Sequence, residues 1–370
     1  MSVAPLPGYA YRLKNKGTGQ YLTSADFSPT SYATVYPLES GGNGLLSQTW
    51  HLLGLDNDRY IIQQKLGGLV LTNDNYWPGS LPSFFGGVRL NLGGVDRNAD
   101  QNVINSQTFV LRPSGSGYYT IVSHNGGGYA SAAPNGSVRL YASPIDGDRH
   151  LWSLEFESSY PAVTGAQIGP TTNFLTDPPQ ATSFSRPSPE TTTEVLIGAT
   201  LLPSVLVNDP LFENDRRLQA SESPWYIVCR FGFYRLKYFF NNSGVSAVTE
   251  TQEVKVGVST NNATEVERTT SISVTAEASY GFKGFSASLS TTYTNQLRTK
   301  VSQSTTETTE KTVSVRREFG RGYESALSIW YPSDRYALQR LDGTTVVQWE
   351  TIAGDGAIER AYAPGMPRPS

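Results

Sequence analysis

YRLKNKGTGQYLTS at Tyr11–Ser24, RYIIQQKLGGLVLTN at Arg59–Asn73 and YYTIVSHNGGGYASA at Tyr118–Ala132 are three versions of one unit. In each, a strand with an aromatic residue runs into a Gly-containing turn and then a short second strand. Val-Arg-Leu strands follow at Val88 and Val138, and every unit closes on an aromatic anchor: Gln48-Thr49-Trp50, Gln107-Thr108-Phe109 and His150-Leu151-Trp152. Periods of roughly 40 to 60 residues signal a repeat architecture. A unit this small cannot bury its own apolar face, so three must close on one another. Residues 1–157 are therefore expected to form one β domain, with Trp50, Phe109 and Trp152 in its core.

The closing pattern resembles the Gln-x-Trp repeat of the ricin-B-type β-trefoil over residues 8–157. One copy is complete, Phe109 replaces Trp in the second, and His150 replaces Gln in the third. The resemblance implies carbohydrate binding, which needs an aromatic platform for sugar C–H faces beside a carboxylate or amide for hydroxyls. The second repeat offers Asp74, Asn75, Tyr76 and Trp77 directly after its Leu-Thr strand, and Asn91 on the next one. The first offers Asp26, Tyr32 and Tyr36, and the third Asn135 and Tyr141. An exposed Asx-rich turn is the competing, purely local role for these residues.

Composition sets further bounds. A chain of 370 residues exceeds what one core usually holds, so two domains are expected. Gly and Pro are abundant, at 35 and 22, aromatic residues make up 11%, and no long Leu/Ala/Glu/Lys stretch shows helical spacing, which favours an all-β protein. A net charge of −3 gives no electrostatic case for nucleic acid. Cys229 is the lone cysteine and lies in the apolar run Trp225–Phe233, so a small core residue is expected rather than a nucleophile. The three histidines, His51, His124 and His150, all fall in the first domain, and no His-Glu-x-x-His, Gly-x-Ser-x-Gly or P-loop pattern occurs. No enzyme activity, metal or cofactor is expected. Asp209 in Val-Asn-Asp-Pro reads as an Asx-Pro turn, and Glu318 as part of a charged turn with Arg316, Arg317 and Arg321. The start MSVAPLPGYAYRLKNK lacks the apolar core of a secretory signal, and no run of about 18 apolar residues exists, so the chain is expected to be made soluble and to meet a membrane only after folding.

Residues 158–190, rich in Pro, Ser and Thr, read as a linker or strap, and a new apolar pattern starts in the domain at 191–370. Within it, SISVTAEASYGFKGFSASLSTTYTNQL at 271–297 carries two opposite alternations that meet at a turn. Apolar residues occupy Ile272, Val274, Ala276, Ala278, Tyr280 and Phe282, then Phe285, Ala287, Leu289 and Tyr293. With Lys283-Gly284 as a two-residue turn, Phe282 pairs with Phe285, Tyr280 with Ala287, Ala278 with Leu289 and Val274 with Tyr293, so one face is apolar and the other Ser/Thr. Each arm has about eleven residues, close to the roughly 9–11 that a tilted strand needs to cross the hydrocarbon core. An ordinary hairpin packed on a core produces the same alternation.

The segments LIGATLLPSVLVNDP at Leu196–Pro210 and SPWYIVCRFGFYRLKYFF at Ser223–Phe240 resemble the signature of the Toxin_10 (Tpp) family, insecticidal binary-toxin proteins of spore-forming bacteria. The resemblance implies an elongated, aerolysin-like antiparallel β-sheet domain that forms pores. It also implies cell-surface glycans or a glycosylated receptor as ligand, the target-cell membrane, a homo-oligomer on that membrane and a second toxin component as partners, and storage in an intracellular inclusion or release to act outside the cell. On this reading the 271–297 hairpin inserts, with Phe282 and Phe285 at its tip, its Ser/Thr face toward the lumen and Glu277 either setting the lumen charge or merely solvated. The alternative is a lectin without pore activity, whose C-terminal domain only oligomerises it.

Overall fold

Each repeat folds into four strands. The computed structural model describes residues 5–24, 32–73, 87–95, 100–145, 147–275, 279–302 and 309–363. The first repeat supplies β1 (Tyr9–Asn15), β2 (Tyr21–Ser24), β3 (Ala33–Tyr36), helix α1 (Gly42–Ser47) and β4 (Trp50–Gly54). The second supplies β5 (Arg59–Gln64), β6 (Val70–Asn73), β7 (Val88–Gly93), α2 (Gln101–Ser106) and β8 (Phe109–Pro113), and the third β9 (Tyr118–Ser123), β10 (Tyr129–Ala132), β11 (Val138–Tyr141) and β12 (Leu151–Ser159). Strands β1, β4, β5, β8, β9 and β12 pair in a closed ring, which leaves none of the six with a free edge. The hairpins β2–β3, β6–β7 and β10–β11 cap it, joined by Arg139↔Arg89 and the bridges Thr34↔Ser137 and Tyr32↔Asn91. This is a β-trefoil.

The closing anchors do what their chemistry allows. Trp50, Phe109 and Trp152 are fully buried, and the two indoles donate from Nε1 to the Leu22 carbonyl at 3.0 Å and the Ala130 carbonyl at 2.8 Å, at equivalent places in repeats one and three. Gln48 donates to the Pro37 carbonyl and accepts from Glu39 N–H, pinning the loop that leads back into the barrel. Gln107 donates to the Gly94 carbonyl, and His150 meets the Ile145 carbonyl through Nδ1 at 3.2 Å, so a ring nitrogen replaces the amide in the third repeat.

Beyond the trefoil, the strap carries α3 (Pro161–Thr164) and β13 (Gly169–Pro170) and runs beside β14 (Val195–Pro203). After α4 (Arg216–Glu222), β15 (Trp225–Asn242) begins a long antiparallel sheet. It pairs with β21 (Ser325–Gln339) from Ile227↔Gln339 to Asn242↔Ser325. Flanking β21 are β22 (Thr345–Ile352) on one half and β23 (Ile358–Tyr362) on the other. A two-stranded ribbon, β16 (Val248–Gly257) and β20 (Glu310–Phe319), lays Val254, Val256 and Val315 over Tyr238, Leu327, Ile329 and Tyr331.

Between the two ribbon strands lies an insert, residues 258–309, where the structure departs from the expected hairpin. It contains α5 (Thr260–Thr270), β17 (Ile272–Val274), β18 (Ser279–Phe282), a 3-10 turn at Gly284–Leu289, α6 (Ser290–Leu297) and β19 (Lys300–Val301). The first arm pairs with itself, as Ile272↔Phe282, Ser273↔Gly281 and Val274↔Tyr280, rather than across Lys283-Gly284. The second arm is not a strand. Phe285, Leu289, Tyr293 and Leu297 are spaced by four, which is two strand periods but also one helical step, and helical packing buries all four while exposing Ala287. Ser286 turns the chain locally, its Oγ accepting from Lys283 N–H and donating to the Lys283 carbonyl. In this form Phe285 is fully buried and Phe282 half-buried. Ala276 and Ala278 lie outside the described residues. The fold is that expected, a β-trefoil followed by an antiparallel β-sheet domain, and its two longest helices lie in the insert.

Candidate functional sites

The insert is berthed on the central sheet. Ile272, Val274, Tyr280, Phe285, Leu289, Tyr293 and Leu297 join Leu202, Trp225, Tyr226, Tyr336, Leu338, Val347 and Trp349 in one cluster, which also takes in Leu53, Leu55, Ile61 and Val70 of the trefoil. At its centre the Tyr336 and Trp349 rings stack at 5.1 Å, Tyr280 meets Tyr336 edge-on at 5.4 Å, and Trp349 Nε1 donates to Tyr280 Oη. Burial holds the Tyr280, Tyr293 and Tyr336 hydroxyls neutral, far above the usual phenol range. Gly198 on β14 faces the Gln296 carbonyl so closely that a Cβ there would overlap it, and this lets α6 lie against the strand. The apolar face is covered by strands and by the trefoil, with Ile168 of the strap lining the same cleft as Leu289 and Thr292.

The two family-like segments meet in one buried polar network. The Asp209 carboxylate, with a fully buried side chain, caps the turn at Pro210–Phe212 through Leu211 N–H, accepts from Tyr226 Oη at 2.9 Å, and holds Arg340 with both oxygens at 2.6 and 2.7 Å. Val-Asn-Asp-Pro and Ser-Pro-Trp-Tyr are thus a structural pair; the Asx-Pro turn is present, but Arg340 was not legible from it. Cys229 is half-buried, and burial raises its thiol pKa, which disfavours a thiolate nucleophile. Among the described residues no group of three or more His, Cys, Asp or Glu is placed to hold a metal ion.

At the junction between the two domains, His51 of β4, Tyr160 of the strap and Trp225 of β15 form a triangle of edge-on rings 5.3 to 5.5 Å apart, with His51 Nε2 and Tyr160 Oη 2.9 Å from each other. Burial, and secondarily the charge of Lys65, pushes the His51 pKa down to about 3. Unfolded histidine titrates near 6.5, so folding stability is complete above that pH and falls as the pH drops from about 6.5 toward 3, at about 1.4 kcal/mol per unit. Urea midpoints should register a loss of about 2 kcal/mol between pH 6.5 and pH 5 that His51→Gln does not show. Equal slopes in the two proteins would place the acid sensitivity elsewhere.

Asp26, Asp74, Asn75, Tyr76 and Trp77 lie outside the described residues. Tyr32 and Asn91, from different repeats, are brought together by the Tyr32↔Asn91 bridge, and Tyr32 lies 4.0 Å beneath the Arg89 guanidinium, a neighbour that sequence reading missed. Tyr36 is exposed at the end of β3 opposite Tyr21. Asn135 accepts from Ser137 N–H and Oγ, a turn role, and Tyr141 lies on β11 against Gly87.

The family model described as Insecticidal Crystal Toxin, P42 (Toxin_10) matches residues 195–362. Among solved structures, Cry35Ab1 superposes with a TM-score of 0.72 at 17% identity, over 97% of this chain and 91% of that one. The designed three-fold symmetric protein ThreeFoil covers 40% of this chain at 22% identity with a TM-score of 0.33, and a Polyporus squamosus lectin bound to a sialylated epitope covers 40% at 10% identity with the same score. No curated protein sequence matches the chain. No helix among the described residues is long and apolar enough to cross a membrane. Residues 195–362 are thus similar to the Toxin_10 family of insecticidal crystal toxins, and the chain carries that stretch behind a β-trefoil in the fold of Cry35Ab1.

Proposed function

We propose that the protein is a β-pore-forming toxin: the trefoil docks on cell-surface glycans, protomers gather on the membrane, and the insert leaves its berth to become a hairpin in a closed barrel. One observation carries this reading. The ribbon runs in unbroken register from Val248↔Phe319 to Gly257↔Glu310. Continued one residue at a time through the insert, the same ladder brings Val274 opposite Tyr293, Tyr280 opposite Ala287 and Phe282 opposite Phe285, and closes on Lys283-Gly284. That register is the one that puts the apolar residues of 271–297 on one face. The insert leaves and rejoins the ribbon at the paired residues Gly257 and Glu310, so an extended insert would prolong the ribbon from that end. Joining such hairpins into a barrel leaves no unpaired edge in lipid.

Tyr32, Asn91 and Arg89 mark the described part of the glycan surface, and a second toxin component is a partner in keeping with the family. The test is dye release from liposomes and target cells, scored beside glycan-array binding. Leakage with glycan binding is expected; agglutination without leakage, in the presence of receptor and any protease or companion, would leave a lectin.

A further inference from the structure

The helix that must unwind in this reading is held at both ends by groups outside the insert. Helix α5 caps itself, Ser259 Oγ accepting from Asn262 N–H, whereas α6 begins after Leu289, which supplies no side-chain cap. Its free N–H groups point instead at the trefoil. Asp56 Oδ2 accepts from Thr291 N–H at 2.8 Å, and Oδ1 accepts from Thr292 N–H at 3.0 Å and from Thr292 Oγ1 at 2.6 Å. Asp56 N–H also donates to the Ser288 carbonyl at 2.7 Å. At the other end, Arg230 of β15 donates to the Leu297 carbonyl at 2.9 Å and the Arg298 carbonyl at 2.5 Å, while Asp334 holds its remaining nitrogens in a fork at 2.9 Å each. An anion at the N-terminus and a cation at the C-terminus are the arrangement a helix dipole favours.

Asp56 is placed for this contact by its own turn. It opens the β4–β5 connection, where Asn57 at φ 62° and Asp58 at φ 55° take the left-handed conformation that Asn and Asp tolerate, and Arg59 Nε binds the Asp56 carbonyl. Asp56 is only 7% exposed, so its carboxylate cannot simply exchange helix N–H groups for water. The packing around it is looser: Leu52, Leu55, Trp225, Leu289, Thr292 and Gln296 border a cleft of about 230 Å³ between the domains.

We infer that Asp56 is the catch by which the trefoil keeps the insert in its stored, helical form, so that displacement of the trefoil is coupled to release of the pore segment. Release requires residues 290–297 to go from helix to strand, and each of the three side-chain bonds to Asp56 exists only in the helix. The inference rests on the pore-forming reading for its consequence, but the catch itself can be measured without a membrane.

The test is hydrogen exchange of the 284–297 segment in the full-length protein, alongside liposome leakage. Asp56→Ala removes the cap and should cut protection of the α6 amides about tenfold, as expected for loss of a helix N-cap, with β15 amides unchanged. Asp56→Asn keeps one acceptor oxygen and should fall between the two, and it serves if the alanine variant folds poorly. On receptor-bearing vesicles both variants should leak sooner than the parent protein, in the same rank order. Unchanged α6 protection in both variants overturns the catch, and where the parent protein leaks, lost protection without faster leakage overturns its coupling to release. If the parent protein never leaks, the pore reading falls, and the exchange data still decide whether Asp56 holds the insert.

Discussion

Arg340→Ala should lower the stability of the C-terminal module by about 3–5 kcal/mol, the usual cost of leaving one member of a buried ion pair behind. The reason is geometric. Asp209 has no exposed side-chain surface, and Arg340 meets both of its oxygens, so the variant strands a carboxylate supported only by Tyr226 and Leu211 N–H. Urea unfolding would show this as a fall in midpoint, and Arg340→Lys should recover part of it, since an ammonium restores the charge but not the fork. The acid response should change as well. Burial alone would raise the Asp209 pKa, yet the bonds from Arg340, Leu211 N–H and Tyr226 hold it below the usual carboxylate range. Its contribution is therefore complete above the unfolded value of about 3.9 and is lost as the pH falls below that. Without Arg340 burial dominates, and acid destabilisation should begin at a higher pH. An Arg340→Ala protein with the parent's midpoint and acid limb would show that the pair is not a keystone of the module.

Ala287→Lys should abolish most leakage while leaving the soluble protein intact. In the stored form Ala287 is exposed on the 3-10 turn, so a lysine there loses no packing. In the extended ladder it lies opposite Tyr280 on the lipid side, a few residues from the turn. A basic residue on that face costs about 1–3 kcal/mol between the interface and the midplane, and every protomer of the barrel repeats the penalty. A drop of at least tenfold in leakage rate, with unchanged unfolding midpoint and glycan binding, is the expected result. Leu289→Asp is a poorer probe, because Leu289 is buried in the stored form and a charge there would destabilise the soluble fold itself. Full leakage by Ala287→Lys would remove 285–293 from the lipid face.

The berth of the insert shows why this segment is helical here and why the proposed pore form would need it to leave the sheet. Positions 285, 289 and 293 satisfy a strand of period two and a helix of period 3.6 equally well, so local pattern leaves the choice open. The stored form is helical because the sheet offers a flat aromatic floor of Tyr336 and Trp349, a close approach at Gly198, and charges at both ends of α6. None of these partners lies within forty residues of Ser290 except through folding. In the proposed pore none of these partners would remain, and strand pairing would take their place.

What the chain alone determined was whatever rests on local repetition. Three spaced anchors pointed to the trefoil, because each repeat is too small to bury its own apolar face and all three anchors are buried in the shared core. The turn at Asn135 follows from a side chain that bonds its own neighbouring backbone. The apolar spacing of Ile272, Val274, Tyr280, Phe285, Leu289 and Tyr293 was legible too, and all six are buried, whereas Ala287 is exposed. Only the tertiary structure decided that residues 290–297 pack as helix against the sheet, that Arg340 completes Asp209, that Arg89 lies over Tyr32, and that a trefoil aspartate caps a helix 235 residues away. Each of these is a contact between segments far apart in the chain, set by how whole domains pack, and periodicity carries no information about which distant group will satisfy a buried charge or a bare helix end.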